Sequence, residues 1–253
     1  MKALVTGASR GIGRAIARLL HARGAELAVS ARELSHLRGV LEETPGSVGL
    51  AAELTRADEV DTLVPRARAA LGGLDAFVHC AGVVRYAPAL ELTRAELEEQ
   101  LTVNFSAGFV LCQAAARVMT AAGSGGAMVC VASTLGMRPA QGSAAYAASK
   151  AALLSMVRAF ALELAPAAIR VNAVAPGVID TDMVHVVRGS DRDRLDARAS
   201  EQRIAEQLAQ LAALHPLGRL GKAEEVAEAV LYLLEARFVT GSVLVVDGGL
   251  TLA

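Results

Sequence analysis

At 253 residues, 53% of them hydrophobic, the chain has the length of one α/β domain and enough apolar mass to fill its core. Its 25 basic and 26 acidic residues leave a net charge of -1, which excludes the strong basic field expected of a nucleic-acid or anionic-membrane binder. Cys80, Cys112 and Cys130 lie far apart on apolar segments and read as reduced core thiols, and the five histidines show no ligand spacing, so no metal is expected.

Met1 to Gly7 builds no signal-peptide core, and no unbroken apolar run of about 18 residues occurs, so the expectation is a soluble, cytoplasmic protein with no membrane partner. Lys2 to Thr6 reads as a short buried strand. It runs at once into Thr6-Gly7-Ala8-Ser9-Arg10-Gly11-Ile12-Gly13 and then the helical pattern Ala15 to Arg23. Strand, glycine-rich turn and helix in that order set backbone N–H groups at a helix N-terminus, where the dipole favours an anion such as a phosphate. The spacing is Gly-x-x-x-Gly-x-Gly rather than Gly-x-Gly-x-x-Gly, and a simple tight turn is the competing reading.

The next strand, Glu26 to Ser30, leads into Ala31-Arg32, where an NAD-type fold would carry an acid for the adenosine ribose. Ala31 has no carboxylate, and Arg10 and Arg32 offer two guanidinium groups suited to a 2'-phosphate. The cofactor expected on these grounds is NADP(H), against the alternative of two solvated surface arginines.

Alternation continues with a helix near Leu34 to Glu42, a strand near Val48 to Ala52, a helix from Ala57 to Leu71 and a strand Ala76 to Cys80. A long helix near Arg94 to Ala121 follows, then a strand Ala127 to Ala132, a helix carrying Tyr146 and a strand Ile169 to Val174. Strands and helices in turn imply an α/β, Rossmann-like, doubly wound parallel sheet with helices on both faces and ligands at the carboxyl ends of the strands. Ser133 stands at such an end. In Ala144-Ala145-Tyr146-Ala147-Ala148-Ser149-Lys150, Tyr146 and Lys150 are i and i+4 and share one helix face. A tyrosine of ordinary pKa about 10 beside an ammonium suggests acid/base chemistry; a core aromatic next to a solvated lysine is the plainer alternative.

Together these residues resemble the short-chain dehydrogenase/reductase family along nearly the whole chain. Thr6-Gly7-x-x-x-Gly11-Ile12-Gly13 looks like its cofactor loop, Val103-Asn104 like its helix asparagine, and Ser133, Tyr146 and Lys150 like its catalytic trio. Pro176-Gly177-Val178-Ile179-Asp180-Thr181 looks like its nicotinamide segment, and Thr240-Gly241 with Val246-Asp247-Gly248-Gly249 like its C-terminal signature. The resemblance implies a single domain with a seven-stranded sheet, and hydride transfer between a nicotinamide dinucleotide and a carbonyl or alcohol. It makes Tyr146 the proton donor to the ketone oxygen and Ser133 its hydrogen-bond partner. Lys150 holds the nicotinamide ribose and favours the phenolate, and Asn104 supports a water that resupplies protons.

Cofactor contacts are implied for Thr6, Gly7, Ser9, Arg10, Gly11, Ile12, Gly13, Arg32, Glu53, Leu54, Cys80, Ala81, Gly82, Tyr146, Lys150, Pro176, Gly177, Val178, Ile179 and Thr181. Substrate contacts are implied for Ser133, Leu135, Arg138, Tyr146, Gly177 and Met183. Two places depart from the family pattern: His79-Cys80-Ala81-Gly82 replaces Asn-Asn-Ala-Gly, and Glu53-Leu54 replaces an Asp-led pair.

A substrate lid is expected at about 178–217. Its polar part holds Arg188, Arg192, Arg194, Arg198 and Arg203 against Asp191, Asp193, Asp196, Glu201 and Glu206, a net charge of zero that reads as a solvated surface. Pro216-Leu217-Gly218-Arg219-Leu220 and the Gly-Ala-Ser-Arg of the cofactor loop resemble the 3-oxoacyl carrier-protein reductases of the family, making a 3-oxoacyl thioester the leading substrate. The basic landing face for an acyl carrier protein is missing at Ser124-Gly125-Gly126 and Ala167-Ala168, with Arg85 and Arg138 as weaker substitutes, which counts against that partner and leaves a free ketone or a coenzyme A thioester open. A dehydrogenase of a small secondary or cyclic alcohol is the enzymatic alternative, and a catalytically silent cofactor-binding regulator the non-enzymatic one. The helices near Arg94 to Ala121 and Ala144 to Leu164 are apolar beyond one face, which suggests burial against a second subunit, with packing on their own sheet alone as the alternative; the family resemblance implies a homotetramer or homodimer built on them.

Overall fold

The computed structural model describes residues 1–185 and 197–253. Its strands are β1 (Lys2–Thr6), β2 (Glu26–Ala31), β3 (Val48–Ala51), β4 (Ala76–His79), β5 (Gly126–Val131), β6 (Ile169–Pro176) and β7 (Val243–Val246). All pair in parallel, in the order β3-β2-β1-β4-β5-β6-β7. Helices α1 (Gly11–Ala22), α2 (Arg38–Glu43), α3 (Ala57–Leu71), α4 (Arg94–Leu101), α5 (Ala107–Ala122), α6 (Ala144–Leu164), α7 (Ala197–Ala213) and α8 (Ala223–Glu235) supply the crossovers and the outer layers. The expected doubly wound, seven-stranded parallel sheet is therefore the observed one.

The strands are near-continuous apolar runs because both faces of the sheet are covered. Period-two alternation sends Leu4, Phe77 and Met128 into the core layer shared with α3, α5 and α6, while Ala3, Val5, Val78 and Val129 fill the layer under α1 and α8. Strand order reverses between β1 and β4, where Thr6 stands in register with His79, and His79 with Cys130. The carboxyl ends of the central strands thus line one crevice at the switch point.

Several expected boundaries shift. The long helix is continuous from α4 to α5 but passes through a π-turn over Thr102–Ser106. Leu34–Leu37 is a 3-10 turn preceding α2. Strand β6 runs on to Pro176 because it pairs with β7, where Pro176 stands opposite Val246. Cys112 and Cys130, remote in sequence, meet with sulfurs 3.8 Å apart, both free and buried between α5 and β5. Arg94–Ala122 and Ala144–Ala167 are each long and apolar enough to cross a membrane by length and composition, and both pack on the sheet through residues such as Leu111, Met119, Leu153 and Val157.

The β1–α1 junction tolerates no side chain at its third glycine. A Cβ on Gly13 would lie 2.2 Å from the Gly7 carbonyl oxygen, a backbone atom that cannot rotate away. Gly13→Ala is expected to destabilise the fold by about 1–3 kcal/mol or more through overpacking, read as a lower midpoint in urea unfolding.

Candidate active site

The cofactor edge is built on the Thr6 hydroxyl. It accepts the N–H groups of Cys80 (3.1 Å) and Ala81 (3.3 Å) and lies 3.1 Å from His79 Nδ1. With its acceptor sites so used, its own hydrogen goes to Nδ1, which leaves the His79 hydrogen on Nε2, a buried atom with no hydrogen-bond partner among the described residues. Burial, with Lys150 adding repulsion, lowers the His79 pKa to about 3, so the ring is neutral. Sequence reading passed over His79 as a departure from the family pattern; only the fold reveals the Thr6 contact.

Gly7 takes φ +69, and a Cβ there would meet the Ala81 backbone at 2.7 Å. Gly11 lies against Thr181, whose Cγ2 would be 3.1 Å from an added Cβ. Helix α1 begins after Arg10 with no side-chain cap and no acid in its first turn, so no side chain competes for its free N–H groups. This cradle fits the pyrophosphate of a dinucleotide. Arg32 is exposed beyond β2, and Arg10 lies 3.7 Å from Asp182, both side chains well solvated. Leu54 is buried, whereas the Glu53 carboxylate accepts the N–H of Thr55 (3.1 Å) within its own turn.

Lys150 is only 3% exposed; its Nζ donates to the Val131 carbonyl at 2.9 Å and sits 5.7 Å from the Tyr146 ring centroid. Burial brings its pKa down to about 8. Tyr146 is 9% exposed, with the buried Ser133 beside it. Burial and then the neighbouring Tyr86 push the phenol above its ordinary pKa, and Ser133 offsets only part of this. The expected bias toward phenolate is not met in the protein alone: burial favours the neutral phenol, and Tyr146 is a neutral acid. Tyr86, in the loop after β4, was not singled out from the sequence; its position near Tyr146 depends on how that loop folds.

Ser133 also accepts the Leu135 N–H at 3.1 Å, opening the turn Thr134–Gly136. Asn104, fully buried in the π-turn, accepts the Val83 N–H at 2.8 Å and donates to the Val83 carbonyl (2.9 Å) and Ser149 Oγ (3.0 Å). Both amide hydrogens are therefore committed. The side chain braces the β4 loop against α6 and has only acceptor capacity left for a water, which narrows the role read from the sequence.

Cys80 is partly buried; burial pushes its thiol up to about 12 against the pull of Lys150. The segment leaving β6 is pinned by Gly177 N to the Val246 carbonyl (2.9 Å), Thr134 Oγ1 to the Pro176 carbonyl (3.2 Å) and Gly221 N to the Val178 carbonyl (3.0 Å). Ile179 is buried, and Met183 is exposed beside the buried Val184. Arg138 is a correction. It was expected at the substrate, but its Nη1 donates to the carbonyls of Ala253 and, at 3.4 Å, Leu250, because the C-terminal turn folds against this loop. Arg85 is likewise engaged, with Glu99 at 3.1 Å. The charged run from Arg188 to Asp196 lies outside the described residues.

The crystal structure of a short-chain type dehydrogenase/reductase from Mycobacterium marinum superposes with a TM-score of 0.87 at 35% identity, covering 99% of this chain and 95% of that one. The family profile described as enoyl-(acyl carrier protein) reductase matches residues 7–251. The chain belongs to the short-chain dehydrogenase/reductase family. Among its relatives in that family are human 3-oxoacyl-[acyl-carrier-protein] reductase, 35% identical over 249 residues, 98% of this chain and 97% of that protein. Another is cis-4-hydroxycyclohexanecarboxylate dehydrogenase of Sinomonas cyclohexanicum, 39% identical over 258 residues, 98% of this chain and 96% of that protein. As a family member the protein is an oxidoreductase of CH–OH and C=O groups that works with a nicotinamide cofactor.

Removing the Asn104 brace leaves the N–H and C=O of the half-buried Val83 without their partner, at a cost of up to about 1–3 kcal/mol per group. Asn104→Leu is expected to lower the unfolding free energy by several kcal/mol and to speed hydrogen exchange at Val83 and along the start of α6, measured on the two proteins side by side.

Proposed function

We propose that this protein is an NADP(H)-dependent reductase that converts a ketone to a secondary alcohol, with a 3-oxoacyl thioester as the leading substrate. The observation that carries the direction is the buried Tyr146 phenol, kept neutral by burial and set beside the equally buried Ser133. A carbonyl oxygen that gains negative charge needs a proton donor and a hydrogen-bond donor at that point, and these two hydroxyls supply both. Tyr146 gives its proton to the nascent alkoxide, Ser133 orients the oxygen, and Lys150 holds the ribose and a positive charge beside the phenol. The nicotinamide supplies the hydride when bound. Asn104 keeps α6 in place through Ser149, which donates to the Tyr146 carbonyl at 2.7 Å.

The preference for the phosphorylated cofactor rests on Ala31 in place of an acid and on Arg10 and Arg32. The Arg10–Asp182 pair is solvent-exposed and worth at most about 1 kcal/mol, so a dianionic phosphate would displace it. The thioester reading is supported by the human relative's name and by Pro216-Leu217-Gly218-Arg219-Leu220. Oxidation of a cyclic secondary alcohol is the second reading, favoured by the name of the Sinomonas relative.

The test is oxidation of NADPH against acetoacetyl-coenzyme A, a carrier-bound 3-oxoacyl chain, cyclic ketones and quinones, with cyclic alcohols and NADP+ in the reverse arm. Tyr146→Phe is expected to lose about two to four powers of ten in kcat on every ketone; equal rates in the two proteins would refute the mechanism. Reduction by the wild type should be flat through neutral pH and decline on the alkaline side, beginning near pH 8 as Lys150 sheds its charge while Tyr146 is still protonated. A second experiment addresses the cofactor. Arg10→Ala with Arg32→Ala should reduce the ratio of kcat/KM for NADPH over NADH by about tenfold or more, and an unchanged ratio would exclude these residues as the 2'-phosphate site.

A further inference from the structure

His215 follows the end of α7 and is 3% exposed. Its Nδ1 is 2.8 Å from the Leu211 carbonyl, which can only accept, and its Nε2 is 3.2 Å from the Val178 N–H, which can only donate. The two partners settle the protonation: the ring is neutral, with its hydrogen on Nδ1 and a lone pair on Nε2. The ring is also wedged in place. A Cβ on Gly177 would lie 3.1 Å from Nε2 and 2.9 Å from Asp247 Cβ, and one on Gly248 would lie 3.6 Å from the ring Cδ2. It borders a cavity of about 260 Å³ that Val178, Leu217 and Val246 help to line.

We infer that His215 is a positioning residue for the cofactor: its Nε2 lone pair fixes the Val178 amide and so the path of Pro176 to Thr181. The inference rests on the reading that this segment frames the nicotinamide. Among the described residues the other links on the segment involve Val246, Gly221, Thr134, Val184 and His185, and His215 is the side chain that anchors the Val178 N–H. The anchor exists only while Nε2 is unprotonated. A second ring proton would point a donor at a donor and release Val178. Among the described residues the titratable groups facing the ring are Asp247, from the turn after β7, and Arg219 with its partner Glu225 across the cavity. Asp247 keeps its carboxylate bonded to the N–H groups of Gly249 (2.9 Å) and Thr251 (2.8 Å), so its charge stays beside the ring.

The experiment measures the Kd of NADPH by its fluorescence at about pH 7.5 and about pH 5.5, across the usual histidine range, for wild type, His215→Gln and His215→Leu, with thermal unfolding of each protein alone. Glutamine keeps an acceptor and a donor but cannot be protonated; leucine keeps the volume and loses the acceptor. His215→Leu is expected to bind about tenfold more weakly at both pH values, equivalent to about 1.4 kcal/mol. Wild type should match His215→Gln near pH 7.5 and weaken severalfold near pH 5.5, where His215→Gln does not. A folded His215→Leu that binds as wild type does, or a His215→Gln that loses affinity in acid as wild type does, overturns the inference alone. Wild type that binds neither NADPH nor NADH overturns the functional reading and this inference with it. Should His215→Leu fail to fold, the pH response of His215→Gln decides.

Discussion

The active edge depends on one buried amide. Asn104 uses Oδ1 and both Nδ2 hydrogens to close on the two backbone groups of Val83 and on Ser149, and Ser149 in turn donates to the Tyr146 carbonyl. A loop that would otherwise bury unpaired backbone groups is thereby satisfied, and the helix carrying Tyr146 and Lys150 is tied to it. The π-turn over Thr102–Ser106 is the local departure from α-helical winding at the residue that makes these bonds. Gly82 admits the amide closely, since a Cβ there would lie 3.2 Å from Asn104 Oδ1.

Burial drives four titratable groups of the crevice toward neutrality. It raises Tyr146 and Cys80 and lowers Lys150 and His79. The common cause is that a charged form loses its hydration in the interior. Two consequences differ in kind. For Tyr146 the result is a phenol ready to give a proton. For Cys80 it is a thiol of low reactivity, which accounts for a cysteine being tolerated next to the acid/base pair.

The guanidinium groups that could meet anions fall into two classes. Arg10 and Arg85 pair with carboxylates at the solvated surface, Arg10 at 3.7 Å and Arg85 directly through two bonds to Glu99, where a pair contributes little. Arg138 instead holds backbone carbonyls of the C-terminal turn, whose Gly249 packs against Pro216. The C-terminal turn, Pro216 and the loop after Ser133 are thus mechanically joined.

Local patterns carried most of the architecture. Apolar runs of strand length alternating with helical periods determined the parallel sheet, because a strand covered on both faces has no choice but to be apolar throughout. The glycine loop after β1 and the Tyr146–Lys150 spacing were legible because close backbone approach and a shared helix face are properties of neighbouring residues. What depended on residues far apart in sequence was not legible. The extension of β6 to Pro176 exists through pairing with β7, the π-turn at Asn104 is joined to Val83 on another element, and Arg138 is taken by a C-terminus more than a hundred residues away. The protonation of Tyr146 belongs to the same class. Sequence placed an ammonium beside a phenol, but only the packed interior decided that burial favours the neutral phenol.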